Sequence, residues 1–268
     1  MRKSRIIFFS ILAFVCCVSA QAEQWTTYFA YNNVTQIAMA SDRVFAVSDG
    51  SLFSVNKQTE MITKYDRQSG LHGTGINCIH YDSIGNQLII AYGDGKIDIL
   101  SPRGNTYISE LYNKDMTQRK DIYNVTIKGR TAYLSTHYGI QTMDLRENKL
   151  VDSYWLRPGG QETPIQDILV MSDSIFAFAS DSLYCASLAD NLVDYTYWKR
   201  EKRSARILPD ATKGKRYVDG NNTWSAGGSL GITRVTPTET INYKPDGPLV
   251  NIPYRITATK DGVWVLQG

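Results

Sequence analysis

Histidine and cysteine are scarce in this chain, and their scarcity removes several chemistries at once. Three histidines, His72, His80 and His137, and four cysteines occur in 268 residues. Cys16 and Cys17 fall in the apolar N-terminal stretch, which leaves Cys78 and Cys185 far apart in sequence. That set holds no Cys-x-x-Cys pair and no His-rich cage, so neither a zinc ribbon nor a histidine-built metal centre is expected. The two remaining cysteines either pair in an oxidising compartment or stay apart as buried thiols, and spacing leaves both open.

Long apolar runs are missing after residue 22, and so is any sustained 3.6-residue stripe. No spanning helix and little helix of any kind are expected there. The one apolar run, 6–18, is 13 residues long. It follows Arg2, Lys3 and Arg5 and precedes Ala20-Gln21-Ala22, the pattern of a secretory signal peptide over residues 1–22. Excess charge is missing too. The whole chain has 29 basic and 26 acidic residues, but setting aside the three bases of the leader leaves 26 against 26. A neutral exported chain gives no general attraction to nucleic acid.

What is present is a long repeat. RVFAVSDGSLFSV (43–55), QLIIAYGDGKIDIL (87–100), TAYLSTHYGIQTMDL (131–145), SIFAFASDSLYCASL (174–188) and NTWSAGGSLGITRV (222–235) each read as strand, tight turn, strand. Their turn residues, Gly50, Gly95, Gly139, Ser182 and Gly228, recur at spacings of 45, 44, 43 and 46. Strands precede these hairpins at 35–40, 75–81, 123–129 and 165–171. Others follow at 61–66, 106–112, 149–156, 192–198 and 239–244. Four antiparallel strands every ~44 residues predict an all-β fold, a β-propeller of four-stranded blades over 23–268. YRITATKDGVWVLQG (254–268) reads as half a blade, and WTTYFAY (25–31) as an outer fourth strand. The expected ring is therefore incomplete in this chain, with six or seven blades when whole, and the span is expected to aggregate through its open edges.

Catalytic signals are weak throughout. GGSLG (227–231) matches the G-x-S-x-G elbow in letters, yet a strand rather than a helix follows it and no histidine lies downstream. Asp49, Asp94 and Asp181 occupy hairpin turns, where Asp is favoured for backbone reasons; a cation- or sugar-binding ring is the alternative. Tyrosine and tryptophan sit in strands, as fillers between twisted blades. No catalytic, cofactor-binding or metal-ligating residue is assigned. One patch stands out: the run 198–219 carries Lys199, Arg200, Lys202, Arg203, Arg206, Lys213, Lys215 and Arg216 against three acids. Read as a loop joining two blades, it is the candidate site for an anionic partner.

SGLHGTGINCIHYDSIGNQLIIAYGDGKIDIL (69–100) resembles the two-component-regulator type of propeller repeat. DGSLFSV, GDGKIDIL, AYLSTHYGI, WTTYFAY and NLVDYTYWK are similar to the N-terminal propeller of the PorZ-like family of the Bacteroidetes type IX secretion system. That resemblance implies a non-catalytic scaffold at the periplasm or outer-membrane surface, without a cofactor. It implies contact with a sortase-like protease and with anionic lipopolysaccharide. The alternative is the periplasmic glycan-sensing propeller of a hybrid two-component regulator; a lyase or hydrolase on the same scaffold is a third reading.

Overall fold

The structure, a computed structural model, describes residues 27–202, 212–260 and 262–267; the expected signal peptide lies outside them. Five four-stranded sheets follow one another along the chain, each an antiparallel meander in sequence order. Blade 1 is β1 (Val34–Met39), β2 (Arg43–Ser48), β3 (Ser51–Asn56) and β4 (Ile62–Tyr65). Blade 2 is β5 (Ile76–Asp82), β6 (Gln87–Tyr92), β7 (Ile97–Ser101) and β8 (Gly104–Ile108). Blade 3 is β9 (Ile122–Lys128), β10 (Thr131–Thr136), β11 (Ile140–Asp144) and β12 (Lys149–Tyr154). Blade 4 is β13 (Asp167–Met171), β14 (Ser174–Phe178), β15 (Ser182–Ser187) and β16 (Lys199–Lys202). Blade 5 is β17 (Arg216–Asp219), β18 (Asn222–Ala226), β19 (Ile232–Val235) and β20 (Thr240–Tyr243). A separate two-stranded hairpin, β21 (Pro253–Thr259) and β22 (Gly262–Gln267), ends the described chain.

The two-residue period of a strand explains how blades bind each other. Successive side chains point to opposite faces, so a blade between two others must be apolar on both. β6 shows this: all six residues are buried. Leu88 and Ile90 join the cluster shared with blade 1, while Ile89 and Ala91 join the cluster shared with blade 3. Each fully buried aliphatic side chain of this kind contributes roughly 1.5–3 kcal/mol relative to exposure. Similar clusters join blade 3 to blade 4 and blade 5 to blade 1.

The blade 5–blade 1 seam is further pinned by backbone. Val34 N–H donates to Gly228 O at 2.9 Å, and Gly228 N–H returns to Val34 O at 3.2 Å. Two ion pairs flank it, Lys57–Asp219 at 2.9 Å and Arg234–Glu60 at 2.6 Å. Between blades 4 and 5 no apolar cluster forms among the described residues. Met171 and Val218, on the walls of that seam, are 53% and 69% exposed.

First strands stand around the axis and clasp one another through polar side chains. The Gln36 amide donates to Ile79 O and accepts from Ile79 N–H, at 3.1 and 2.9 Å. Asn77 donates to Ile122 O, and Thr126 to Ile168 O. Blades 1, 2 and 3 thus each satisfy backbone groups of the next, which would otherwise be buried and unpaired.

Three expectations about strands are corrected. Of the outer strand expected at 25–31, residues 27–31 are described and are not a strand. They and the following residues are held by side chains instead, with Asn251 Oδ1 accepting from Ala30 N–H at 2.6 Å and the Asn32 amide donating to Pro248 O and Leu249 O. The strand expected at 106–112 stops at Ile108, and the helical turn α1 (Glu110–Asn113) follows, burying Leu111. The strand expected at 192–198 is a 3-10 turn, Tyr195–Tyr197, capped by the Asp194 carboxylate accepting from Thr196 N–H. The fourth strand of blade 4 lies just beyond it.

Candidate functional site

The basic run does not form one loop. Lys199, Arg200 and Lys202 are on β16, the exposed edge strand of blade 4, whereas Arg216 opens β17 in blade 5. The charge run hides two short strands, Lys-Arg-Glu-Lys and Arg-Tyr-Val-Asp. Charged side chains on an open edge also discourage pairing with other chains. Arg200 pairs with Asp181 at 3.2 Å, both well exposed, an arrangement that contributes little to stability. Arg203 and Arg206 lie outside the described residues. Lys215 and Arg216 are exposed. Lys213 is no surface charge: its Nζ reaches Asp167 Oδ1 at 2.7 Å and Thr126 Oγ1 at 2.6 Å, beside the axis.

The turn carboxylates do not converge. Asp49 Oδ2 accepts from Asn32 and Asn33 N–H, and Asp94 binds Lys96 at 2.5 Å. Asp181 accepts from the Ser182 hydroxyl, and that bond, more than Arg200, holds its carboxyl below the usual range. Asp94 serves its own turn, Asp49 fastens the stretch before β1, and Asp181 its own turn and β16. GGSLG likewise closes a turn, Gly227 N–H to Gly231 O, and β19 follows it directly. Cys78 and Cys185 are both free thiols; burial pushes Cys78 up to about 12.

Two histidine clusters were invisible in the chain order. Asp98, fully buried, accepts from the Tyr92 hydroxyl at 2.7 Å and from His72 N–H at 2.8 Å, and faces His72 Nδ1 at 2.9 Å. The His72 ring stacks on Tyr107 at 4.3 Å. In blade 3, the Tyr123 hydroxyl meets His137 Nδ1 at 2.6 Å, and Glu162 lies 3.5 Å from Nε2. Burial raises Tyr123, so its phenol stays protonated. These contacts fasten turn-face loops to strands. They place no free nucleophile beside a base, which a nucleophilic mechanism needs. His80 belongs to the axis. Burial first, and Lys213 second, depress it to about 4. Among the described residues no group of His, Cys, Asp and Glu is placed to hold a metal ion.

One cleft of about 380 Å³ opens on the turn face between blades 1 and 2. Phe29, Leu52 and Tyr65 give it apolar walls, and Asp66, Arg67 and Thr74 a polar rim. Gly50 sits against its floor at φ +75, with Gly75 Cα 3.1 Å from where a Cβ would stand. A side chain there would be both strained and crowded.

Sequential four-stranded blades packed face to face around polar first strands define a β-propeller. Residues 44–199 match the family described as TSS9, PorZ, N-terminal beta-propeller domain, and the chain belongs to that family. No curated protein matches the sequence. Among solved structures, PorZ of Porphyromonas gingivalis, an essential surface component of its type IX secretion system, superimposes with a TM-score of 0.60 at 23% identity. That match covers 90% of this chain and 31% of PorZ, so the chain spans about a third of that relative. The extracellular domain of a protein described as a hybrid two component system, BT4673 of B. thetaiotaomicron, matches with a TM-score of 0.53 at 14% identity. It covers 91% of this chain and 39% of the other. No described helix is long and apolar enough to cross a membrane.

Proposed function

We propose that this propeller is a non-catalytic adaptor of a type IX secretion machinery, exported to the periplasm or the outer-membrane surface. In this reading it presents exposed loops and edges to a sortase-like protease and to anionic lipopolysaccharide. Membership of the PorZ N-terminal propeller family is the observation that carries it. The site chemistry agrees: the buried carboxylate Asp98, and Tyr123 and Glu162 beside His137, are taken up in fastening loops. Among the described residues of the basic run, the groups left for an anion are Lys199, Lys202, Lys215 and Arg216, all exposed. The test is to replace these four by Glu and ask whether the protease and lipopolysaccharide still co-purify with the protein from a type IX-secreting cell. Loss of both with an unchanged melting curve supports the reading; unchanged co-purification removes these cations from it.

A second reading, a glycan-sensing extracellular propeller, is favoured by the turn-face cleft. Aromatic walls with an Asp–Arg–Thr rim suit a sugar ring. Titration with short bacterial and dietary oligosaccharides separates the two readings: saturable binding lost in Arg67→Ala supports the sensor.

A further inference from the structure

Blades 4 and 5 share no apolar cluster among the described residues, yet the segment leading into blade 5 is tied to blade 4 at the axis. The wall of blade 4 follows from its register. Ile168, Val170, Ile175, Tyr184 and Ala186 pack toward blade 3, so Leu169, Phe176 and Cys185 turn the other way, and all three are half-buried. On blade 5, Tyr217 and Trp224 pack toward blade 1, which turns Val218, Thr223 and Val235 to the seam. That wall is polar or β-branched and largely exposed.

Residues 212–216 lead into blade 5 as a tight turn. Lys215 N–H donates to Thr212 O at 2.8 Å, and Gly214 takes φ +69. Any Cβ on Gly214 would stand 2.7 Å from Gln36 Nε2, the amide that joins blades 1 and 2. The turn grips three blades. Gly214 O accepts from Ile37 N–H of blade 1 at 2.6 Å. The Lys213 ammonium donates to Thr126 of blade 3 and to Asp167 of blade 4. Asp167 also accepts from Asn124 Nδ2 at 2.9 Å, so its carboxylate is a junction rather than a lone partner. With side chains 19% and 13% exposed, the pair is shielded from salt, and removing one partner leaves the other charge uncompensated.

We propose that the 212–216 turn is a latch and Lys213 its bolt. When the bolt is drawn, blades 4 and 5 part at the one seam whose opening exposes no shared apolar cluster among the described residues. At the other four seams, a cluster would have to break. The ring therefore has a built-in place to widen, and widening bares the apolar wall around Leu169 and Phe176.

Cys185 on that wall is a native reporter, and Cys78 in the blade 2–3 cluster is its control. The experiment is labelling of the folded protein with a thiol reagent, read per cysteine by mass spectrometry. K213M is expected to speed Cys185 labelling by about tenfold, leaving Cys78 as slow as in the parent protein. D167N is expected to do the same, and the double variant to add little to either, as partners in one bond do. K213R, which keeps charge and reach, is expected to stay near the parent. An unchanged Cys185 rate in K213M and D167N overturns the latch. So does a parallel rise at Cys78, which reports global loosening. Should K213M fail to fold, D167N decides by the same two rates.

Discussion

The central strands β6 and β18 hold equivalent places in their blades and have opposite burial. β6 is buried at six of six positions, β18 only at Trp224. The difference is not one of propensity, since both are antiparallel strands paired on both sides. It comes from neighbours: blade 2 has a blade packed on each face, while among the described residues blade 5 shares an apolar cluster with blade 1 alone. The lesson is that stability in this propeller resides in seams more than in sheets. Four seams carry apolar clusters; at the blade 4–blade 5 seam, where none forms among the described residues, a lysine on the segment entering blade 5 supplies a tie to blade 4.

The largest way to break the comparison is to empty the closed seam. Trp224→Ala is expected to cost about 3–5 kcal/mol, the usual penalty for deleting a fully buried aromatic, read as a lower denaturant midpoint. A conserved midpoint would mean the blade 5–blade 1 cluster is not a structural core.

Next is the pH dependence of the axis. His80 is depressed to about 4 from 6.5 in the folded chain. The unfolded chain therefore binds the proton first, and folding stability is full above pH 6.5 and falls as pH drops toward 4. The loss is on the order of 3 kcal/mol from this group. His80→Phe is expected to remove that part of the slope between pH 6.5 and 4. A parent and variant with parallel curves would contradict it.

Gly214→Ala tests the turn itself. With φ +69 and Gln36 in the way, it is expected to cost about 1–3 kcal/mol in thermal melts, against a stabilisation if the backbone were ordinary. Smaller still is Lys57→Met, which removes the ion pair to Asp219. Asp219 is 44% exposed, so the effect is about 1 kcal/mol at most after solvent screening. Val218→Thr, on the open wall, is expected to stay within about 0.5 kcal/mol of the parent.

These contrasts also mark what could be read from the chain order. The ~44-residue recurrence of hairpin turns was legible because each blade repeats the same local problem: two inner strands joined by a tight turn. The first strand of blade 5 was not. Arg216–Asp219 is short and lies inside a charge run, with a single apolar residue on each face, Tyr217 and Val218. Lys213 was unreadable for a different reason. Its partners Asp167 and Thr126 are 46 and 87 residues away, and nothing local separates a lysine bound at an axis from one in solvent. The same holds for Asp98 and His72, which meet only because the 69–75 loop folds back over blade 2. In a repeat protein the period shows which strands exist; which face of a blade is left uncovered is a property of the ring.

The most direct test is to compare the two thiols in the unmodified chain under native conditions. Cys78, fully buried at a closed seam, is expected to label only as fast as the protein unfolds globally, with its rate rising steeply in denaturant. Cys185, half-buried on the wall that faces blade 5, is expected to label faster and with a shallower denaturant dependence, because opening at that seam exposes it without global unfolding. Equal rates with equal denaturant slopes would mean that the two seams are protected alike, and the distinction between closed and open seams would fall.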